Sequence, residues 1–453
     1  VAEPGDLLDG EIRTVQAGSK TIALVRYQEQ YAAVDNACPH QGGPLGEGSI
    51  ECNEDGECWL RCPWHGWDFH PITGKSPGGV DDGVETYPVE TRDDGIYVCI
   101  KEILEKQRTV SDIMVETMVE WGVSHVFGMV GHSNLGLADA VREQVEQGNL
   151  HYIGIRHEGA ASFACSGFAK LTGKPAACLT IAGPGATNLL TGLWDAKVDR
   201  APVLALTGQV NTQVLGPGAF QEIDLADAFS AVSAFSQTVL PNSRHSELMA
   251  LALKHAIVKR DVSHLIFPDE VQVVPMQDDA ASTVSSPLGR LVDRSVSPSR
   301  DSLAAAMDRI RGAGRPVIIV GYGARESMSD VTALAELLNA PVLTTFKAKG
   351  QLSDQHPLAG GVLGRSGTPV ASWSMNKTDL LIVFGASFSN HTGISPKKPI
   401  IQVDFDPMAL GKFHAVEIPV LGEIGVTCRQ FISAMEETPG QNILDQRQEL
   451  AER

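Results

Sequence analysis

The sequence predicts a multidomain chain, with a small all-β domain followed by two α/β domains built on parallel sheets. Three observations lead there. Residues 1–100 carry Gly-punctuated, short alternating apolar stretches such as Thr21–Tyr27 and Gly95–Ile100, the period-two mark of half-buried antiparallel strands. Beyond residue 105 come nearly continuous apolar runs, His125–Val130, His151–Ile155, Ala176–Ile181 and Val203–Thr207, each ending in a Gly-containing turn and separated by helical stretches. Strands of that kind are buried on both faces, as in a parallel sheet between helix layers. A second set follows, Val317–Val320, Val342–Thr344, Leu380–Phe384 and Ile400–Asp404.

The expected boundaries are 1–104 for the β domain, 105–275 and 299–436 for the α/β domains, and 276–298 for a Ser-, Asp- and Pro-rich linker without periodicity. Three domains suit 453 residues at roughly 150 residues each. Thr109 with Asp112 forms a capping box that opens a helix running through Trp121. Residues 437–453 are polar and helical without a core-forming pattern, and read as a connector to something further.

Composition narrows the function classes. Hydrophobic content of 43% and charged content of 20% are ordinary for a globular protein. No apolar run approaches the roughly 20 residues of a membrane span, and no basic segment with an apolar core opens the chain. A first residue other than Met reads as a processed or trimmed chain, and the expected location is cytoplasmic. Residues 1–100 hold 18 Asp/Glu against 6 Lys/Arg and so carry most of the net charge of −19. That surface repels nucleic acid and anionic membranes.

Two short segments, Cys38-Pro39-His40 and Cys62-Pro63-Trp64-His65, each present one thiol and one imidazole. Two thiolates with two neutral imidazoles suit either tetrahedral zinc or a two-iron cluster whose irons take unlike ligand pairs. The continuation Gly66-Trp67-Asp68-Phe69, then Thr73-Gly74 and Pro77, favours the cluster, because it is similar to Rieske ferredoxins and to the Rieske domains of ring-hydroxylating oxygenases. The resemblance implies a [2Fe–2S] centre on Cys38, His40, Cys62 and His65. Twenty-one residues separate His40 from Cys62, and the excess over the common spacing is assigned to an insertion around Glu51–Glu57. In the respiratory type each cluster loop carries a disulfide cysteine, whereas here Gly43 and Trp64 stand in those places. Of the eight cysteines, the six outside the cluster read as reduced thiols. Cys52 and Cys58, inside the insertion, are near enough to pair, but the reading taken is two inert thiols.

Residues 106–275 resemble the pyrimidine-binding domain of the thiamine-diphosphate enzymes that include pyruvate oxidase and acetolactate synthase. The motifs are Arg156-His157-Glu158-Gly159-Ala160-Ala161-Ser162-Phe163, Ala182-Gly183-Pro184-Gly185-Ala186-Thr187-Asn188 and Gly218-Ala219-Phe220-Gln221-Glu222. The resemblance implies that Glu158 is catalytic and hydrogen-bonds the aminopyrimidine ring from a partly buried position. It also implies that Gly183, Pro184, Gly185 and Asn188 form the active-site rim, with Phe220 and Gln221 on the substrate side. Singly, each motif has a plainer explanation, since Glu158 suits a helix start and Gly-Pro-Gly an ordinary turn. One departure is Val130-Gly131-His132 where the family often has Pro-Gly.

Residues 299–436 resemble the central domain of the same family, which holds FAD in some members. The residues implied as FAD contacts are Gly321, Gly323 and Arg325 after one strand, Thr345 and Phe346 after the next, Gly364, Ser387, and the strand-ending Asp404 and Asp406. A lone Gly-x-Gly is weak evidence on its own. The family's Gly-Asp-Gly motif, followed some thirty residues later by Asn, is absent from these residues, so a Mg²⁺–diphosphate site is incomplete here. The combined expectation is a thiamine-diphosphate- and FAD-dependent oxidoreductase acting on a pyruvate-like 2-oxo acid. Its fused Rieske cluster passes electrons to an unidentified acceptor, and the protein is a homo-oligomer, dimer or tetramer. The alternatives are an acetolactate-synthase-like carboligase with structural FAD and a redox-sensing Rieske module, and a non-catalytic electron-transfer protein.

Overall fold

The computed structural model describes residues 1–453 apart from 19, 54–56, 78–82, 101–106, 277–282, 390 and 439–442. The 104/105 boundary, the middle of the insertion after Glu51 and the first part of the 276–298 linker therefore lie outside the described residues. The chain divides into two units, Val1–Ser286 and Pro287–Arg453.

The N-terminal part of the first unit is antiparallel. Strands β1 (Ile12–Ala17), β2 (Lys20–Tyr27), β3 (Gln30–Asp35) and β7 (Thr86–Tyr87) form one sheet, and β4 (Ser49–Cys52), β5 (Cys58–Arg61) and β6 (Asp68–Phe69) a second. β8 (Val89–Arg92) and β9 (Gly95–Val98) make a hairpin. The alternation in β2 feeds two small cores. Ala23, Val25 and Tyr27 pack with Leu45, Leu60, Phe69, Cys38 and Cys62, while Ile22 and Leu24 pack with Leu7, Ala33, Tyr87 and Ile96. The first of these cores carries the two cluster-motif thiols.

The rest of this unit is a parallel six-stranded sheet in the order β11-β10-β12-β13-β15-β14. Its strands are β10 (His125–Gly128), β11 (His151–Gly154), β12 (Ala176–Thr180), β13 (Val203–Gln209), β14 (Phe235–Thr238) and β15 (Val262–Pro268). The main helices are α1 (Val110–Glu120), α2 (Leu135–Glu146), α3 (Glu158–Thr172), α4 (Pro184–Thr187), α5 (Leu190–Val198), α6 (Leu225–Phe229), α7 (His245–Lys259) and α8 (Asp269–Gln272). The expected Thr109/Asp112 capping box opens α1.

β14 and β15 were not anticipated, because polar residues interrupt their apolar runs. In β15 those residues are buried with partners. Ser263 donates to the Ala252 carbonyl at 2.6 Å. His264 bonds Thr207 through Nε2 at 2.8 Å and Ser236 through Nδ1 at 2.9 Å, and its ring stacks on Phe229 at 3.8 Å. Burial holds the His264 imidazole at a pKa of about 3, far below the ordinary range.

The second unit has its own parallel six-stranded sheet, in the order β18-β17-β16-β19-β20-β21. These strands are β16 (Pro316–Val320), β17 (Val342–Thr344), β18 (Ala359–Val362), β19 (Leu380–Phe384), β20 (Ile400–Asp404) and β21 (Ile418–Leu421). Helices α9 (Arg300–Arg311), α10 (Met328–Leu337), α11 (Pro369–Lys377) and α12 (Ile424–Glu437) cover it. The polar tail has a core-facing side after all. Ile443 and Leu450 pack against the apolar core, and the buried Gln446 donates to the Pro316 carbonyl at 3.0 Å. Arg315 pairs with Glu449 on α13 (Arg447–Ala451). Two apolar residues seven apart among charged neighbours are too sparse to show as a pattern.

Both described ends of the linker are tied to their own units. Trp121 donates its indole N–H to the Ser285 carbonyl at 2.6 Å, and Glu423 donates its backbone N–H to the Val296 carbonyl at 2.8 Å. Among the described residues, no helix is long and apolar enough to cross a membrane.

Candidate functional site

The four cluster-motif residues come together from two loops, one after β3 and one between β5 and β6. Cys38 and Cys62 are both buried in the same small core. Burial raises the Cys38 thiol above its ordinary range; backbone N–H groups of His40 and Gln41 oppose the shift and the Cys62 thiol adds to it. The His40 and His65 rings meet edge to face at 4.9 Å, and His40 stacks on Trp67 at 4.8 Å with 12° between the planes. Each loop closes on its cysteine. Cys38 donates to the Gly43 carbonyl at 2.9 Å, and Cys62 to the Trp67 carbonyl at 2.8 Å.

A Cβ at Gly43 would stand 2.7 Å from the Cys62 sulfur and 3.2 Å from the Trp64 ring. No side chain, a cysteine included, has room there, so the loops lack a respiratory-type bridge at that position. A different bridge is present. Cys52 and Cys58 form a disulfide, which corrects the reading of six reduced thiols outside the cluster. The two residues are direct partners across the β4–β5 pair, a cross-strand proximity that sequence separation alone does not reveal.

The donor set divides as a thiol pair and an imidazole pair. Two irons, one taking two thiolates and the other two imidazoles, need that division. His40 Nδ1 is buried without a hydrogen-bond partner, a polar atom that ligation would satisfy. The residues therefore fit a [2Fe–2S] centre.

In the first parallel sheet the strand order reverses between β10 and β12, so their C-terminal ends flank the crevice where ligands of such sheets bind. Glu158 is the first residue of α3 and is half-buried; the preceding His157 caps the helix, accepting the Gly159 N–H at 3.1 Å. Asn188 donates its amide to Glu158 Oε2 at 3.0 Å. A Cβ at Gly185 would lie 3.3 Å from Glu158 Oε1, and one at Gly183 would lie 2.8 Å from the Gln221 carbonyl. Pro184 is the first residue of α4, as the Gly-Pro-Gly turn suggested. Glu158, Gly183, Gly185, Asn188 and Gln221 are thus neighbours, while Phe220 stands 88% exposed.

The loop that carries Phe220 and Gln221 is built around Glu222, which accepts N–H bonds from Gly216 at 2.7 Å, Ala219 at 2.8 Å and Gly218 at 3.0 Å. Those donors hold its carboxyl below the ordinary range. Sequence reasoning missed Ser133. Its hydroxyl accepts the Ala182 N–H at 2.8 Å and its carbonyl accepts from Gln272 at 2.8 Å, fixing the loops after β10 and β12 to each other. A polar His-Ser-Asn triplet directly after an apolar strand was the available signal.

In the second sheet the order reverses between β16 and β19. Gly321 and Gly323 follow β16, and a Cβ on them would stand 2.1 Å from the Gly385 carbonyl oxygen and 2.9 Å from the Gly385 Cα respectively. These glycines are needed first for loop-on-loop packing. Arg325 pairs with Glu326 at 2.9 Å and lies over the Tyr322 ring. Thr345 precedes the turn of Phe346, whose half-exposed ring closes on Gly364, where a Cβ would meet it at 2.5 Å. Ser387 is exposed. Asp404 Oδ1 accepts the Asp406 N–H at 3.0 Å and Asp406 Oδ1 the Met408 N–H at 2.9 Å. All but Gly364 follow or end one of β16, β17, β19 and β20, and the loops after β16 and β19 flank the switch point.

Family comparisons agree with this division. Residues 1–88 match the Rieske [2Fe-2S] domain. Residues 108–228 match the N-terminal TPP binding domain of thiamine pyrophosphate enzymes, and residues 303–431 their central domain. The thiamine pyrophosphate-containing protein YdaP of Bacillus subtilis is 34% identical over 338 residues, covering 75% of this chain and 58% of the relative. An acetolactate synthase of Arthrospira platensis is 31% identical, with 70% and 57% covered, and the pyruvate oxidase of Lactiplantibacillus plantarum 29%, with 72% and 54%. The chain thus spans a little over half the length of these relatives. The chain carries a Rieske [2Fe–2S] domain followed by the N-terminal and central domains of a thiamine pyrophosphate enzyme, and acetolactate synthases and a pyruvate oxidase are among its relatives.

Proposed function

We propose that this protein is a thiamine-diphosphate- and FAD-dependent oxidoreductase of a pyruvate-like 2-oxo acid, in which the Rieske centre hands electrons to an external acceptor. The observation that carries the reading is a split Cys₂His₂ donor set on the same chain as a Glu158–Asn188 pair at a sheet switch point. When bound, thiamine diphosphate supplies decarboxylation chemistry, FAD two-electron acceptance and the cluster one-electron transfer.

The chain's own residues have distinct tasks under this reading. Glu158 holds a proton at Oε1 against the aminopyrimidine ring, with Asn188 fixing the other oxygen so that the carboxyl cannot swing away. Gly183 and Gly185 leave the rim free of side chains, and Phe220 with Gln221 covers the substrate side. Cys38 and Cys62 hold one iron and His40 and His65 the other. Gly321, Gly323, Arg325, Thr345, Phe346, Gly364, Ser387, Asp404 and Asp406 supply the FAD side. No residue here is proposed for a Mg²⁺–diphosphate site. The proposed domain limits remain 1–104, 105–275 and 299–436, and the working assembly is a homo-oligomer.

Anaerobic addition of pyruvate to the natively purified protein should bleach flavin absorption and then Rieske absorption, with acetate or acetyl phosphate as product. Glu158→Gln should slow flavin bleaching by a factor of about 100 or more. A cluster that stays oxidised beside reduced flavin argues against the relay. Acetolactate as product would favour the carboligase reading, which the number of acetolactate synthases among the relatives supports.

A further inference from the structure

The Cys52–Cys58 bond joins residues that the hairpin already holds in register. β4 and β5 pair from Ser49–Arg61 through Cys52–Cys58. Beyond the bond, Asn53 donates its backbone N–H to the Glu57 carbonyl at 2.9 Å, and Glu57 donates its own to Asn53 Oδ1 at 2.8 Å. Strand register therefore does not depend on the covalent link.

The link is also open to attack. Cys52 is exposed and Cys58 half-buried, and exposed disulfides are the readily exchanged class. The other close pair differs: Cys165 and Cys178 are hydrogen-bonded thiols with no exposed surface. From Cys58 the strand leads straight into the cluster loop. Cys58 and Leu60 pack in the same small core as Cys38 and Cys62, Arg61 is clamped to Asp68 through two bonds of 2.8 Å, and the next residue is Cys62.

We infer that Cys52–Cys58 is a reversible thiol–disulfide site for a dithiol reductant, and that its state is transmitted along β5 to the Cys62 loop. The reductant's thiolate attacks the exposed Cys52 sulfur. The Cys58 sulfur leaves as thiolate and takes a proton, giving a mixed disulfide. The reductant's second thiol then displaces Cys52, which is protonated in turn. Two electrons and two protons pass from reductant to protein, and the reductant ends as a disulfide. Only the transmission step rests on the Rieske reading.

The test uses the purified, cluster-containing protein under anaerobic conditions. Iodoacetamide is added before and after dithiothreitol, and the modified peptides are identified by mass spectrometry. Cys52 and Cys58 should be blocked as isolated, both alkylated after dithiothreitol, and blocked again after oxidised dithiothreitol, with Cys165 and Cys178 unmodified throughout. Free thiols at Cys52 and Cys58 in the isolated protein, or a bond that survives millimolar dithiothreitol in the folded state, would overturn the site.

Opening the bond should also shift the g-values of the reduced Rieske EPR signal. Cys52→Ser/Cys58→Ser should keep the signal and lose its response to dithiothreitol. Identical spectra with the bond open and closed would overturn the transmission. A protein with no Rieske signal at all would overturn the cluster reading and leave the alkylation result to decide the disulfide site.

Discussion

The two six-stranded parallel sheets reverse their strand order at a comparable place, yet they use the space above that reversal differently. Over the first, the loops meet through polar side chains: Asn188 on Glu158, and the Ser133 hydroxyl on the Ala182 backbone. Over the second, they meet backbone to backbone, with Gly323 donating to the Gly385 carbonyl at 3.0 Å and Gly321 pressed against the same residue. The comparison teaches that a glycine after a β-strand is weak evidence for a phosphate. At Gly321 and Gly323 the fold requires glycine whether or not a nucleotide binds. The Glu158–Asn188 pair has no comparable packing duty, which makes it the stronger pointer to chemistry.

The sharpest way to break this contrast is a methyl group. Gly321→Ala places a Cβ 2.1 Å from a backbone oxygen and 2.3 Å from the Ala386 Cα, atoms that cannot swing aside. It should cost about 3 kcal/mol or more in chemical denaturation. Gly185→Ala meets the movable Ile181 side chain at 2.6 Å and should cost about 1 kcal/mol. Equal losses at the two positions would erase the distinction.

A smaller effect separates the sheets by pH. His264 sits inside the first sheet with a pKa near 3, against 6.5 in an unfolded chain. Between those values the unfolded state binds a proton that the native state refuses, so stability is lost as pH falls below 6.5. The loss should reach about 2 kcal/mol at pH 5. His264→Gln should flatten that slope, and an imidazole NMR signal that titrates near pH 6 in the native protein would contradict it.

The smallest effect concerns the ion pairs that tie α3 to α5. Lys170 reaches Asp195 and Asp199, each at 2.6 Å, and Ser166 also donates to Asp195, at 2.7 Å. Lys170→Ala leaves two carboxylates facing each other and should lower stability by about 1 kcal/mol. The loss should persist in 0.5 M salt if partial burial governs it; a loss that vanishes in salt would mark an ordinary surface pair.

Most of the architecture was legible because it is written in uninterrupted apolar runs. Val203–Thr207 and Leu380–Phe384 are buried throughout, and nothing but a central strand reads that way. β15 was illegible for the opposite reason: Ser263 and His264 look like surface residues until their partners on neighbouring elements are known. The same holds for Cys52 and Cys58, whose pairing depends on a hairpin register invisible from spacing. Among candidate site residues, the motifs around Cys38, Cys62 and Glu158 stand out in the sequence itself. Ser133 does not, since it acts through groups on loops distant in sequence, and Glu222 stood in its motif without its role as the local acceptor that shapes the Gly216–Ala219 turn.

The flat stack of His40 on Trp67 sets one ring's direction by protein alone. An imidazole wedged between an indole plane and the edge of His65 has already given up its rotational freedom. A ring held by such packing has less rotational freedom left to lose on ligating an iron.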